Sequence, residues 1–342
     1  MVKLNYDEKE ILNIIDKVVK KTMTMDLTWD WPCGVAYYGV ASAYEETRNE
    51  EYLNLLIKWT DDYLELGIPG LSVNTCAMGH AMLTLYEATN EQKYWDIIMS
   101  KVDFLRNKAL CFGDKVLQHI GFKEQAWADT LFMAAFFLLR VGNKLQDQEI
   151  INFALNQFHW HIKYLQDPEI GLWYHGYDNI EGNHMSGFYW ARANAWAAYT
   201  MSKVKQNVLN WFHYPQCMDV EYSLRDQLAA IKYLQTENGL WRTILDDKEA
   251  YEEVSASCGI AAAIINNDNP LHTKYVQKAW NGIVSNITED GRVMNVSGGT
   301  AVMIDREGYR KVPKDWMQGW GQGLALAFFT DLLRMQRIHK NI

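Results

Sequence analysis

The sequence predicts an all-α protein folded as an (α/α)6 barrel, in which six inner helices are ringed by six outer ones. Three observations carry that prediction: short segments recur along the 342 residues, six stretches are apolar on every side, and the stretches between them are amphipathic. A helix that is apolar all round has to be buried, whereas a single apolar stripe marks a helix lying outside and covering a core. Alternation of the two kinds reads as two concentric layers.

The first repeat pairs residues 43–53 (AYEETRNEEYL) with 85–95 (LYEATNEQKYW), matching at Tyr44/Tyr86, Glu45/Glu87, Thr47/Thr89 and Tyr52/Tyr94. The second pairs 162–173 (IKYLQDPEIGLW) with 231–241 (IKYLQTENGLW). In both of these a helix loses its period at Gln, meets turn residues, and is expected to restart after Gly-Leu-Trp. The six apolar segments are, in order, 32–44, 74–86, 127–139, 190–201, 255–265 and 319–333, each opening on small or polar residues. Stretches such as 52–66 and 226–235 carry charge on one face and supply the outer layer. A linear solenoid would show the same alternation but needs polar capping repeats at its ends. The last segment is as apolar as the middle ones, so a closed ring is expected, and with it a single domain over residues 1–342.

A ring of this kind gathers the starts of its inner helices at one mouth. The small residues there (Gly34, Ala36, Ala128, Ala191, Ala193, Ser255, Gly321) allow the helix ends to crowd together. Helix N-termini present free N–H groups and positive partial charge, so that mouth favours an anion. The loops leading into it are rich in Trp, Tyr and His, which suits a flat, hydroxylated ligand.

Composition excludes several classes. Lys plus Arg is 33 against 42 Asp plus Glu, a net charge of −9 that repels a phosphate backbone, so nucleic acid is not an expected partner. No apolar run is long enough to span a membrane, and charges fall too early in the chain for a signal peptide. The five cysteines are scattered and never spaced as CxxC, which argues against disulfides and a zinc site and for buried cytosolic thiols. A cytoplasmic protein, a monomer by default, is expected. No HExxH, P-loop, GxSxG or GxGxxG pattern is present, so neither a cofactor nor a metal is implied. His159 and His161 flank Trp160 at i, i+2 and face different sides of a helix, so they make no metal pair.

Two inner-helix starts carry chemistry. Asp129, in Trp127-Ala128-Asp129-Thr130, reads either as a cap of the third inner helix or as a general acid. An adjacent tryptophan and burial push a carboxyl pKa up, while the helix dipole pulls it down, so desolvation has to win in the second case. Arg192, in Trp190-Ala191-Arg192-Ala193-Asn194-Ala195-Trp196, reads either as one arm of an internal salt bridge or as a bidentate clamp for a substrate carboxylate. His175 stands on the loop before that helix and His119 on the equivalent loop of the preceding pair.

The segments WADTLFM, GLWYHGYD, FYWARANAW, VSASCGIAAAI and GTAV…GWGQGLALAF resemble, in order and spacing, the unsaturated rhamnogalacturonyl hydrolases of glycoside hydrolase family 105, relatives of the unsaturated glucuronyl hydrolases. The likeness runs over nearly the whole chain, and its most specific part is WADTLFM together with WARANAW. It implies the (α/α)6 barrel and removal of a 4,5-unsaturated uronic acid, left by pectin and related lyases at the non-reducing end of an oligosaccharide such as a rhamnogalacturonan fragment. In that reaction a carboxylic acid protonates C4 of the enol ether and water adds at C5. The resemblance gives Asp129 the acid's role and sets Arg192 and His175 against the uronate carboxylate and hydroxyls. Trp127, Trp190 and Trp196 would wall the subsite, with His119 beside them. Where the family commonly places an aspartate at the second inner helix, this chain has Asn74, which can hydrogen-bond but not ionise.

Other classes remain as alternatives. An inverting (α/α)6 glycosidase needs a second carboxylate, which Asp178 or Asp30 would have to supply from loops. A sugar epimerase would use His175 with His184 as paired bases. A sugar-binding homologue with a weakened or silent site is the reading that Asn74 keeps open.

Overall fold

Corners written into the sequence build the two rings. In the computed structural model, which describes residues 5–340, inner helices run over Trp31–Thr47 (α2), Gly79–Thr89 (α4), Phe137–Leu145 (α6), Ala191–Lys203 (α8), Val254–Asn267 (α10) and Gly319–Lys340 (α13). Outer helices alternate with them: Glu8–Thr22 (α1), Glu50–Leu66 (α3), Gln92–Asp103 (α5), Gln148–Leu165 (α7), Pro215–Ile231 (α9) and Thr273–Val284 (α11). The short helix Arg306–Arg310 (α12) lies between α11 and α13 in the chain. Residues 1–4 and 341–342, the ends of the expected 1–342 domain, lie outside the described residues.

The first sequence repeat is the tight corner from inner to outer helix. Thr47 and Thr89 turn their hydroxyls back onto the carbonyls of Ala43 and Leu85 at 2.7 and 2.8 Å. The next residue, Arg48 or Asn90, takes a left-handed conformation that ends the helix, and the chain re-enters a helix two residues later. Gln146 and Asp268 make the same left-handed exit from α6 and α10. Three of the inner-to-outer corners at one end of the barrel are short, while the connections from outer helices to inner ones gather at the opposite mouth.

Packing closes the ring. Each inner helix lies against the next, α2 on α4, α4 on α6, the segment leading into α6 on α8, α8 on α10, α10 on α13, and α13 back on α2. The buried apolar side chains of both layers form one cluster, with a small satellite of Phe112, Val116 and Ala126. The closed ring expected from the sequence is therefore the one observed, and the competing solenoid with free ends is excluded.

The second repeat differs from expectation in one respect. After Gly-Leu-Trp the chain does not restart a helix but enters short β pairings: Gln166 bridges Trp173, and Trp241–Arg242 (β5) pairs with Glu252–Glu253 (β6). The glycine is needed because φ is positive (83° at Gly171, 85° at Gly239) and because its bare Cα touches backbone of the following outer helix, at Asp226 and Lys278. With the chain clamped there, its backbone groups pair across the mouth instead of curling into a helix. Among the cysteines, Cys33, Cys76, Cys217 and Cys258 are buried as expected, but Cys111 is exposed, because it opens the two-residue strand Cys111–Phe112 (β1), paired with Val116–Leu117 (β2), and its side chain faces outward. No helix among the described residues is long and apolar enough to cross a membrane.

Candidate active site

A short β-ladder brings the key side chains together. Gln125–Trp127 (β3) pairs antiparallel with Gly176–Asp178 (β4), Trp127 opposite Gly176, and the N–H of Ala128 donates to the carbonyl of His175 at 3.0 Å. Asp129 and His175, 46 positions apart by number, are thereby locked side by side. Gly176 permits the approach: a Cβ there would stand 2.9 Å from Val302 and 3.1 Å from Trp127 and collide with Met185. These strands escape hydrophobic-period reading because each is three residues long.

Asp129 does not cap its helix. Among the described residues no backbone N–H donates to its carboxylate, and its Oδ2 is buried with no hydrogen-bond partner. Directly after it the helix opens into a wide π-type turn over Leu131–Phe136 before regular α6 begins. Its side chain is 14% exposed and its Oδ2 lies 3.4 Å from His175 Nε2, itself without a hydrogen bond. Burial pushes the Asp129 carboxyl up, but His175 beside it and the fields of His119 and Arg192 outweigh burial and hold it below the ordinary carboxylate range. Burial likewise pulls the His175 imidazole down, and Asp129 only partly offsets this. At neutral pH the pair is thus a carboxylate facing a neutral imidazole.

A cavity of about 230 Å³ opens onto Asp129, lined by Trp31, Asn74, His119, Trp127, Met133, Gly299, Thr300 and Ala301. His119 stacks on Trp127 (centroids 4.8 Å apart, planes 17°) and its Nδ1 lies 3.0 Å from the Thr130 hydroxyl; burial pulls its imidazole down to about 4. Four of the residues expected from sequence, Asn74, His119, Trp127 and Asp129, therefore face this one space.

The other four form the layer behind it. His175 is fully buried, its ring 4.0 Å from that of Trp190. Arg192, 1% exposed, lies over Trp190 at 4.4 Å and near Trp320 at 5.3 Å. One terminal nitrogen donates to the Ser297 carbonyl and hydroxyl (3.1 and 2.6 Å), the other to the Gly298 carbonyl and Thr300 hydroxyl (2.9 and 3.2 Å). Glu253 stands 3.7 Å away and accepts from the N–H groups of Ala256 and Ser297. The guanidinium is thus closed upon the loop that forms the cavity wall, and its charge reaches the cavity as a field. Trp196 is fully buried against Phe132 (5.0 Å) and does not reach the mouth, because it falls a turn deeper into α8 than Arg192.

The loop carboxylates and histidines weighed for other chemistry are engaged elsewhere. Asp30 caps α2 through the Trp31 N–H, and Asp178 accepts from Gln125 and from the N–H groups of Ile180 and Glu181. His184 meets the Tyr164 carbonyl at 2.9 Å and stacks on Tyr174, and His159 pairs with Asp219 at 2.7 Å. No cluster of three or more His, Cys, Asp or Glu with metal-binding geometry occurs among the described residues. Residues that sequence reasoning passed over are Glu253, Ser297 and Tyr309, whose hydroxyl lies 2.9 Å from His175 Nδ1. Glu253 precedes a Ser-Ala-Ser run at a helix start, which is a legible capping signal; Ser297 sits in irregular chain and Tyr309 on the five-residue helix α12, too short to show a period.

Comparison with known proteins agrees with this architecture. Residues 6–336 match Glycosyl Hydrolase Family 88. The chain is 49% identical to the unsaturated rhamnogalacturonyl hydrolase YesR of Bacillus subtilis, over 98% of this chain and 99% of that protein. A solved structure described as a possible member of the GH105 family, from Salmonella enterica, superposes with a TM-score of 0.89 at 26% identity over 98% of this chain and 96% of that one. The unsaturated glucuronyl hydrolase of Bacillus sp. GL1 shares the fold, with a TM-score of 0.70 at 15% identity over 96% of each chain.

Proposed function

The chain belongs to Glycosyl Hydrolase Family 88, and from that premise we propose that it removes a 4,5-unsaturated uronic acid, galacturonic in the first instance, from the non-reducing end of lyase-generated oligosaccharides. The observation that carries this reading is the count of carboxylates on the cavity. Asp129 is the one carboxylate among the described residues that line it, and Asn74 stands where a second acid would be. Hydrolysis at the anomeric carbon by the ordinary routes uses two carboxyl groups, as acid and as base or nucleophile. Hydration of an enol ether needs one.

Protonated Asp129 gives its proton to C4, and positive charge develops at C5 and the ring oxygen. Water adds at C5 and returns a proton to the carboxylate. The resulting hemiketal opens to a ketone, and the ring-opened sugar expels the aglycone from C1. Asp129 starts each turnover as an acid and ends it as one, so no further proton carrier is required. The resting carboxylate acquires its proton when the anionic uronate enters, since a second negative charge in a dry cavity raises the carboxyl pKa. His119 and Trp127 offer a stacked wall to the sugar ring, and Asn74 offers hydrogen bonds to its hydroxyls. Arg192, His175 and Trp190 act from the layer behind, and Trp196 through packing. The same reading takes residues 1–342 as a single catalytic domain, working as a cytoplasmic monomer without cofactor or metal.

The test follows the conjugated double bond by its ultraviolet absorbance during incubation with unsaturated galacturonyl-rhamnose. Wild type should bleach it, and Asp129→Asn should do so about 10²–10⁴-fold more slowly while still binding the disaccharide. Equal rates in the two proteins would remove Asp129 from the chemistry.

A further inference from the structure

His175 meets a polar group at each ring nitrogen, Asp129 of the cavity lining on one side and a residue outside that lining on the other. Its Nδ1 lies 2.9 Å from the hydroxyl of Tyr309, and its Nε2 faces Asp129 Oδ2 at 3.4 Å. Tyr309 is fully buried on α12, with its ring 6.0 Å from both His175 and Trp190, and its hydroxyl also lies 3.4 Å from Ser186 Oγ. The helix that carries it is pinned: Asp305 caps it through the Gly308 N–H, and Arg310 forks onto Asp247 at 2.8 and 2.9 Å.

We propose that Tyr309 is a positioning residue for proton transfer, whose phenol fixes His175 as the neutral Nε2–H tautomer and so sets the pH at which Asp129 carries its proton. The reasoning runs through donors and acceptors. A neutral imidazole donates from one nitrogen and accepts at the other. Tyr309 is pushed by burial up to about 12 and is a neutral phenol at working pH, able to donate to Nδ1. With Nδ1 accepting, the proton is on Nε2, aimed at the Asp129 carboxylate, where it favours the anion. In the opposite tautomer the Nε2 lone pair would face Oδ2 and favour the protonated acid. The tautomer therefore decides which state of Asp129 the protein itself supports.

The charged and titratable groups around the pair come from every packed element: His119 from the loop before β3, Arg192 from α8 with Glu253 and Tyr251 beyond it, and Tyr309 from α12. Of these, Tyr309 alone touches the His175 ring nitrogen remote from Asp129. Its segment also follows, along the chain, the Gly299–Thr300–Ala301 stretch of the cavity wall, so the same connection carries wall and clamp.

The inference rests on Asp129 as proton donor, but its first test does not need activity. In the full-length protein labelled with nitrogen-15 at histidine, two-bond correlation spectra assigned with His175→Gln should show His175 as the Nε2–H tautomer, and Tyr309→Phe should release it to the Nδ1–H form or a mixture. An Nδ1–H tautomer in wild type, or no change in Tyr309→Phe, overturns the proposal even if no unsaturated uronide is turned over. The second test is the pH profile of turnover. Tyr309→Phe keeps the ring and its packing, and the alkaline limb of kcat should move up by about one pH unit, the order of turning one N–H dipole away from a carboxylate 3.4 Å off, with KM within about twofold. A superimposable profile would leave Tyr309 as packing alone and refute the proposal. Absence of turnover in wild type would instead remove the proposed function and leave the tautomer result to decide.

Discussion

In the proposed mechanism Asp129 is a proton donor that rests without its proton. Burial alone would make it a good acid at neutral pH, but His175, His119 and Arg192 reverse the direction. An anionic substrate works against those neighbours, so the free enzyme and the complex should titrate differently. The profile of kcat/KM reports groups of the free enzyme, and that of kcat reports the complex. With Asp129 needed in its protonated form, both rates fall as pH rises through its pKa. The alkaline limb of kcat is expected at higher pH than that of kcat/KM, by roughly one unit or more if the uronate carboxylate lies within about 6 Å. Initial rates at saturating and limiting substrate, taken from alkaline pH down to the lowest pH the fold survives, measure the kcat limb and show kcat/KM already falling with rising pH where kcat is still flat. Coincident limbs would mean that substrate charge does not act on Asp129. Arg192 teaches the converse lesson at this scale: a buried guanidinium signals a function, but here its first partners are Ser297, Gly298 and Thr300 of its own chain. Removing one partner of such a buried charged cluster costs about 3–5 kcal/mol, so Arg192→Ala should injure the fold as well as the site.

At the level of elements, the helices were legible because their periods are long. Segments such as 255–265, apolar on all sides, can only be inner helices, and the Thr-Arg-Asn and Thr-Asn-Glu corners repeat with their hydroxyl bonds intact. The ladder of β3 on β4 was not legible, since a three-residue strand has no period to read, and it is this ladder that sets His175 beside Asp129. The depth of Trp196 was likewise hidden: sequence adjacency to Arg192 says nothing about which turn of a buried helix meets the mouth. Nor does composition reveal the wide turn over Leu131–Phe136 that follows Asp129. Such turns carry one extra residue within a helix and occur often at functional sites. Deleting Ala135 should convert the turn to ordinary α-helix and swing Asp129 by about 100° and 1.5 Å relative to α6. The expected result is turnover as low as in Asp129→Asn with the far-ultraviolet circular dichroism of a helical barrel retained. A deletion variant with wild-type turnover would show that the β-ladder alone aims the carboxylate.

The whole molecule is held by its closure and by histidines buried without charge. His80 and His161 are fully buried, their imidazoles pulled by burial down to about 3 and about 4. In the unfolded chain both titrate near 6.5, so between those values the unfolded state binds more protons. Stability is then complete above about pH 6.5 and is lost as pH falls toward 4 and below, by an amount on the order of several kcal/mol. Thermal melts at pH 7 and pH 5 should show this drop, and a smaller one in His161→Gln. Closure itself rests on glycine. In the third copy of the outer-helix turn Gly291, with φ 87°, touches the backbone of Lys17 in α1, so the last turn of the chain seats on the first helix as Gly171 and Gly239 seat on the next ones. The inner ring shuts in the same way: Gly39 lies where a Cβ would stand 2.6 Å from the Gly323 carbonyl, and a Cβ on Gly323 would enter the Val35 carbonyl. Both neighbours are backbone, which cannot rotate aside, so α2 and α13 would have to part. Gly323→Ala should cost about 3 kcal/mol, the upper end of overpacking, and lower Tm by several degrees, against no measurable change for Gly121→Ala, whose Cβ meets nothing within 4 Å. Because closure also presses the starts of the inner helices together at the mouth, Gly323→Ala should weaken turnover below its melting range although it lies on the far side of the ring from Asp129. A variant that melts earlier yet turns over at the wild-type rate would uncouple the seam of the barrel from the site.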